Sequence, residues 1–235
     1  MKKLILITFI FCAVIPSHFL NAQELPQLKK EGNITRLYVD GKPFVMVAGE
    51  LHNSTSSNLA YLAPIFPKLK EMGLNTAIAS IAWEQFEPEE GKFDYSLIDG
   101  IISQARENNL KLCILWFASW KNGLSTYTPL WVKKDSKRFF KLKQSNGTTG
   151  EVISSFCKDA QTADAKAYVQ LMKRIKEVDK EHTVVMMQVE NEVGAFQDMD
   201  YNKQAVDLFK SQVPETLIRY LQKNTNHLSP EMKSV

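Results

Sequence analysis

The sequence predicts an α/β fold: about four βα units in the pattern of the N-terminal half of a (β/α)8 TIM barrel, preceded by a β-hairpin. Apolar stretches of strand length alternate with amphipathic stretches of helix length. The strand stretches are almost continuously apolar, as in strands buried on both faces. A doubly wound sheet also fits such alternation. It is weakened because no Gly-rich phosphate loop follows the first strand.

Residues 1–22 read as a signal peptide rather than part of this fold. Lys2 and Lys3 precede an apolar run from Leu4 to Ile15, Pro16 and Ser17 break it, and Ala22 offers a small residue for cleavage. The run is too short for a spanning helix, and Phe11 before Cys12 argues against a lipid anchor. The expected destination is therefore secreted or periplasmic.

The hairpin comes next. Ile34 to Val39 and Pro43 to Leu51 flank Asp40-Gly41, a strong turn signal, and the second arm runs into a first core strand at Val45 to Glu50. Leu59 to Met72 has helical spacing, with Pro64 and Pro67 either in its first turn or breaking off a short leading helix. Gly73 is its C-terminal cap. Asn75 to Ile81 is the second strand, and Ser96 to Asn109 a helix with Leu97, Ile98, Ile101, Ile102 and Ala105 on one face. Lys111 to Phe117 is the third strand, followed by a loop from Ala118 to Ala160. Thr162 to Glu181 is a helix striped by Tyr168, Leu171, Met172, Ile175 and Val178. Thr183 to Glu190 is the fourth strand, and Asn202 to Lys223 is helical, with a second segment starting at Pro214.

The chain has 235 residues and a net charge of +3, which falls to +1 over 213 residues once Lys2 and Lys3 leave with the first 22. Such a balance gives no reason to expect nucleic acid or an anionic membrane as partner. Cys113 and Cys157 then remain, one in a strand and one in a loop, and are expected as thiols. The Asn-x-Ser/Thr triplets at Asn33, Asn53 and Asn146 are weak signals.

The sharpest chemical signal is Gln188-Val189-Glu190-Asn191-Glu192-Val193-Gly194, at the carboxyl end of the fourth strand, where barrel enzymes place catalytic groups. Period-2 alternation turns Gln188, Glu190 and Glu192 to one side. Buried carboxyl groups are costly unless paired or used. Glycosidic cleavage uses such a group, an acid of raised pKa that protonates the leaving oxygen. The plainer alternative is that these carboxylates cap the next helix or pair with lysines. A second cluster, Trp83 to Tyr95, joins aromatic rings to carboxylates after the second strand. That composition suits a sugar, although acidic residues before a helix also serve its positive end. Trp116, Trp120 and Trp131 are candidate stacking platforms, Trp120 foremost, with core packing as the alternative. His182 reads as a surface residue. A metal site from His52, Glu190 and Glu192 lacks ligand spacing, so neither metal nor cofactor is expected.

Together these segments resemble the clan of (β/α)8 β-galactosidases, glycoside hydrolase families 35 and 42. Gly49-Glu50-Leu51-His52, Lys68 to Thr76, Trp83, Glu87-Pro88 with Gly91, Phe93 and Asp94, and Gln188 to Gly194 match in order and spacing, over about residues 36–195. The resemblance implies a retaining glycosidase with Glu192 as acid/base. It also implies Asn191 as the contact to the sugar 2-hydroxyl, Glu87 as a substrate-binding carboxylate and His52 in the pocket floor; Trp83 and Trp120 are the aromatic substrate-binding candidates beside them. The departures are His52-Asn53-Ser54-Thr55 for His-Tyr-Pro-Arg, Trp83-Glu84 for Trp-Asn, and Val193 for Tyr. The loop after Leu115 is closer to family 42. They fall on the rim that selects the sugar.

In that family the nucleophile follows the seventh strand, and retaining enzymes need it about 5–5.5 Å from the acid/base. The expectation is therefore that 23–235 form the N-terminal part of a truncated catalytic barrel, inactive alone, with open sheet edges that favour aggregation. The expected partner is a carbohydrate. A non-catalytic carbohydrate-binding or interaction fragment, and a metal-dependent barrel hydrolase, are the competing classes.

Overall fold

A computed structural model describes residues 24–193 and 199–233. The export segment expected at 1–22, and Gly194, lie outside the described residues.

β1 (Gln27–Glu31), β2 (Ile34–Val39) and β3 (Lys42–Pro43) form a small antiparallel sheet in that order. The Asp-Gly turn is present: Asp40 and Gly41 have φ of 52° and 73°, the positive pair that a type I′ turn requires. β1 extends the expected hairpin, and its Lys29-Lys30-Glu31 run hides it from an apolar-alternation reading. The second arm stops at Pro43 instead of running on to Leu51. Asn75 explains the break. Its side chain accepts from the Val47 N–H at 2.9 Å and donates to the Val45 carbonyl at 2.8 Å, taking the place of a neighbouring strand.

β4 (Ala48–Glu50) opens the core sheet. α1 (Leu59–Leu62), capped by the Asn58 side chain, and α2 (Ile65–Glu71) are separate helices, the second of the two readings the prolines allowed. Pro64 has no N–H to give to a continuing helix. Gly73 closes α2 at φ 79°, with Leu74 N–H on the Leu69 carbonyl and Gly73 N–H on that of Lys70, a Schellman cap. β5 (Thr76–Ala82), the single turn α3 (Trp83–Phe86) and α4 (Ser96–Glu107) follow. β6 (Lys111–Lys121) runs beyond the expected end at Phe117.

The expected loop from Ala118 to Ala160 contains structure of its own: α5 (Leu130–Lys134) and the hairpin β7 (Lys141–Lys143) with β8 (Thr149–Ile153). α6 (Lys158–Val178) also starts within it. The core face of α6 is Ala160, Ala163 and Ala167 before Leu171 and Ile175, and alanines give no clear apolar stripe to read. β9 (Val184–Asn191), α7 (Lys203–Lys210), α8 (Glu215–Lys223) and α9 (Pro230–Lys233) complete the order.

The core sheet is parallel and its order, β4-β5-β6-β9, follows the chain without reversal. A doubly wound sheet reverses its order at a switch point; this one does not. One face carries Ala77, Ala79, Ile81, Leu112, Ile114 and Trp116 against Leu62, Phe66, Ile98, Ile101, Ile102, Leu171 and Ile175 of the helices. On the other, Cys113, Leu115 and Phe117 pack with Ile78 and Tyr127. Cys113 and Cys157 are both buried free thiols.

Asp179 ties the end of α6 to the start of β9. It accepts from the Thr183 and Val184 N–H groups at 2.9 and 2.7 Å and from Arg106 Nη2 at 2.5 Å. Burial pushes its pKa up, but these donors outweigh it and hold the carboxyl below its ordinary value. Beyond β9 an apolar groove of about 840 Å³ opens along α6, lined by Val169, Met172, Met186 and Met187.

Candidate active site

A parallel sheet gathers the carboxyl ends of its strands on one rim. Here that rim carries Glu50 to His52 after β4, Trp83 after β5, Ser119 to Lys121 at the end of β6 and Glu190 to Glu192 at the end of β9. The first loop is pinned in place by Ser56, whose Oγ donates to the Ser80 carbonyl at 2.7 Å, while Ser80 Oγ donates to the Asn53 carbonyl at 2.9 Å. His52 is exposed beside this anchor. The Cys113 thiol is pushed up by burial and then by the charge of Glu50.

The end of β9 holds the predicted acid/base. Glu192 is exposed, and both it and Glu190 have positive φ, 51° and 61°. Non-glycine residues rarely adopt this backbone, and such outliers gather at functional sites. The two reversals break the expected period-2 alternation of Gln188, Glu190 and Glu192. Asn191 accepts from Lys121 Nζ at 2.6 Å, and that ammonium also lies 4.4 Å from the centre of the Phe117 ring. Lys121 is only 8% exposed, and among the described residues its amine meets Asn191 and the Phe117 ring.

Lys121 is aimed by a turn that the sequence reading passed over, though its signal is plain. Asn122-Gly123 has φ of 53° and 64°, and Lys121 and Leu124 exchange both backbone hydrogen bonds at 2.8 and 3.0 Å.

Glu190 turns inward. Its Oε2 accepts from Trp120 N–H at 2.8 Å and its Oε1 from Ser119 N–H at 3.1 Å. Burial first, and then the hydrogen bond and charge of Asp164 on α6, push its carboxyl up to about 9.

Trp83 is fully buried, its Nε1 donating to Glu87 Oε2 at 2.7 Å. Glu87 is 2% exposed, its Oε1 accepts from Gly91 N–H at 2.7 Å, and Trp131 Nε1 donates to its backbone carbonyl at 3.1 Å. Both residues are buried and brace the turn after β5. A buried carboxylate is tolerable there because both oxygens meet donors. Trp120 is buried as well. The hairpin β7–β8, unseen in the sequence, covers its ring with Leu142 and Val152. Trp116 is also core, edge-on to Phe86, and Trp131 packs edge-on against Trp83 and Phe139. His52 stays on the rim, but β4 and β9 are the two edges of the sheet. Three strand spacings, about 14 Å, separate it from Glu192 along the sheet. The sequence-assigned residues that the structure joins directly are therefore Asn191 with Glu192 and Trp83 with Glu87.

A family model described as β-galactosidase, glycoside hydrolase family 42, matches residues 57–228. A β-1,2-glucosyltransferase of Ignavibacterium album is 30% identical over 203 residues, covering 77% of this chain and 28% of that protein. A β-galactosidase of Xanthomonas manihotis is 29% identical over 82 residues, 35% of this chain and 13% of that protein. The chain thus spans less than a third of either relative. Among solved structures, an exo-β-1,4-mannosidase from Opitutaceae bacterium strain TAV5 superposes with a TM-score of 0.48 at 14% identity, over 64% of this chain and 25% of that one. The catalytic domain of a β-amylase from Paenibacillus polymyxa gives 0.49 at 15%, over 63% and 37%.

Proposed function

The chain belongs to the glycoside hydrolase family 42 β-galactosidases, a family of the (β/α)8 glycosidase clan, and from that premise we propose that it supplies the acid/base half of a retaining β-glycosidase. Glu192 donates a proton to the departing glycosidic oxygen and then takes one from the incoming water. Asn191 holds the sugar 2-hydroxyl, and His52 contributes to the far wall of the pocket. The observation that carries this reading is the Asn191-Glu192 pair at the carboxyl end of a parallel strand, its asparagine fixed by a buried lysine. An exposed Glu192 suits a group that must meet substrate.

The four parallel strands are read as one half of the barrel wall. The nucleophilic carboxylate is proposed to come from another strand of that barrel. Secretion or delivery to the periplasm is proposed from residues 1–22. The substrate proposed is a carbohydrate with a terminal β-linked sugar. Galactose is left open because the departures from the family pattern fall on the rim.

The test is Glu192→Gln in a protein carrying the whole barrel. A proton donor matters most when the leaving group is a poor one, and general acid catalysis is worth about 10²–10⁴-fold. We expect a loss of that order on an alkyl or sugar leaving group and a small loss on a nitrophenyl one. Equal losses on both would remove Glu192 from the role.

A second reading is favoured by the better-covered relative, named a glucosyltransferase. On this reading the same proton transfer serves a sugar hydroxyl instead of water. Chromatography of the products separates them: longer oligosaccharides mark transfer, free sugar marks hydrolysis.

A further inference from the structure

We propose that Glu190 and Asp164 share a single proton and clamp the carboxyl ends of β6 and β9 to α6, making Glu190 a positioning residue for Asn191 and Glu192. The positioning role rests on the reading of Glu192 as proton donor; the pair itself does not.

The ladder between β6 and β9 has a gap. Between Trp116 and Lys121 the pairing of β6 with β9 slips, so the N–H groups of Ser119 and Trp120 are not taken up by the regular register. Buried N–H groups need acceptors, and the Glu190 carboxyl supplies them at 3.1 and 2.8 Å. The Ser119 N–H is also 3.2 Å from Asp164 Oδ2. One N–H therefore faces two carboxyl groups, one from β9 and one from α6, which brings their oxygens side by side. Like charges so placed in a buried site cannot both be ionised.

Asp164 has the richer set of donors. It is 8% exposed and receives Trp116 Nε1 at 2.8 Å and Ser119 Oγ at 2.6 Å in addition to the shared N–H. Among the described residues Glu190 receives only the two backbone donors, so the shared proton is assigned to it. The upward displacement of its titration agrees with this. Other charged groups nearby are Lys121 from β6, which is engaged with Asn191, and the exposed Glu192 beyond it.

Function enters through the backbone. Glu190 and Glu192 both hold left-handed conformations that their side chains disfavour, so something outside the strand must maintain them. The carboxyl pair fixes the residue before Asn191, and Lys121 fixes Asn191 itself.

The experiment uses the purified chain. In the wild type, the Glu190 side-chain carboxyl signal in NMR is expected to titrate far above 4.5, and the amide signals of Asn191 and Glu192 to move with the same midpoint. Because the folded-state value is raised, the stabilisation is complete at acid pH. It is lost as pH rises from the ordinary glutamate range toward about 9, so Tm should fall across that window. Glu190→Gln keeps a neutral donor and an acceptor in place. It should retain the fold and abolish that slope, whereas Glu190→Ala should unfold more readily at every pH. Asp164→Asn should return the Glu190 titration toward its ordinary value.

A wild-type Glu190 that titrates near 4.5, a glutamine variant as unstable as the alanine one, or an unchanged midpoint in Asp164→Asn would each overturn the pair. Amide signals of Asn191 and Glu192 that ignore the Glu190 titration would overturn the positioning role alone. Failure of Glu192 as proton donor would leave the titrations untouched, so the two readings fail separately.

Discussion

β6 and β9 lie side by side in one sheet and read almost alike in sequence, yet they meet very different surroundings. β6 is buried at every position from Leu112 to Lys121. β9, with Val-Val-Met-Met and a further valine, leaves Met186 41% and Val189 58% exposed. The difference is one of neighbours: β6 is paired on both edges and β9 on one. Apolar sequence reports what a strand is prepared to bury, and only the surrounding elements decide how much of that is realised. The uncovered flank of β9 continues into the apolar groove along α6.

Trp116→Ala, at the centre of β6, should have the greatest effect on stability. This change empties a fully buried indole site and strips Asp164 of the Nε1 donor. Loss of a buried aromatic side chain costs about 3–5 kcal/mol. Denaturant unfolding followed by far-UV circular dichroism should show it as a lower midpoint, and a loss under about 1 kcal/mol would mean that β6 is less tightly enclosed than described.

Next is Asp179→Ala, at the seam where β9 joins the core. It leaves the Thr183 and Val184 N–H groups and Arg106 without their carboxylate, and an abandoned buried donor costs about 1–3 kcal/mol. The wild-type contribution has a pH signature opposite to that of Glu190. The folded-state pKa of Asp179 is depressed, so its stabilisation is present above the ordinary aspartate range and is lost as pH falls through the lowered value. Urea midpoints measured down a pH series should converge for wild type and variant at low pH. A gap that stays constant there would remove the carboxylate charge from the explanation.

Much of the frame was legible because periodicity reports burial directly. The stripe of α4 follows from spacing, the Asp40-Gly41 turn and the Gly73 cap from residue type, and the core strands from their apolar runs, although the first begins only at Ala48 and does not continue the hairpin arm. What stayed hidden has common physical causes. The alanines of α6 pack closely without an apolar signal, and the charged β1 needs no core. The hairpin β7–β8 is short and gains its value from the Trp120 it covers. At the site, composition gave the carboxylates and tryptophans but not their directions. Trp83 and Glu87 stand four residues apart across one turn, close enough to satisfy each other inside the protein. Glu190 could not be told from Glu192 by alternation, because two left-handed residues interrupt the strand.

The smallest expected effect is the most pointed test of the β6–β9 contrast. Val189 pairs in register with Trp116 on the neighbouring strand, so the two occupy matching positions on a pleat, one with its surface open and the other sealed. Val189→Thr keeps the β-branched shape and changes a methyl to a hydroxyl. On a closed strand that hydroxyl would lose its water and cost a buried polar group. On the open flank it stays hydrated, and the change should lie within about 0.5 kcal/mol of zero. If the same substitution costs several times that in the purified chain, the β9 flank is covered in solution, by another copy or by chain folded onto it. A cost that grows with protein concentration would point to the copy, because binding stabilises by mass action.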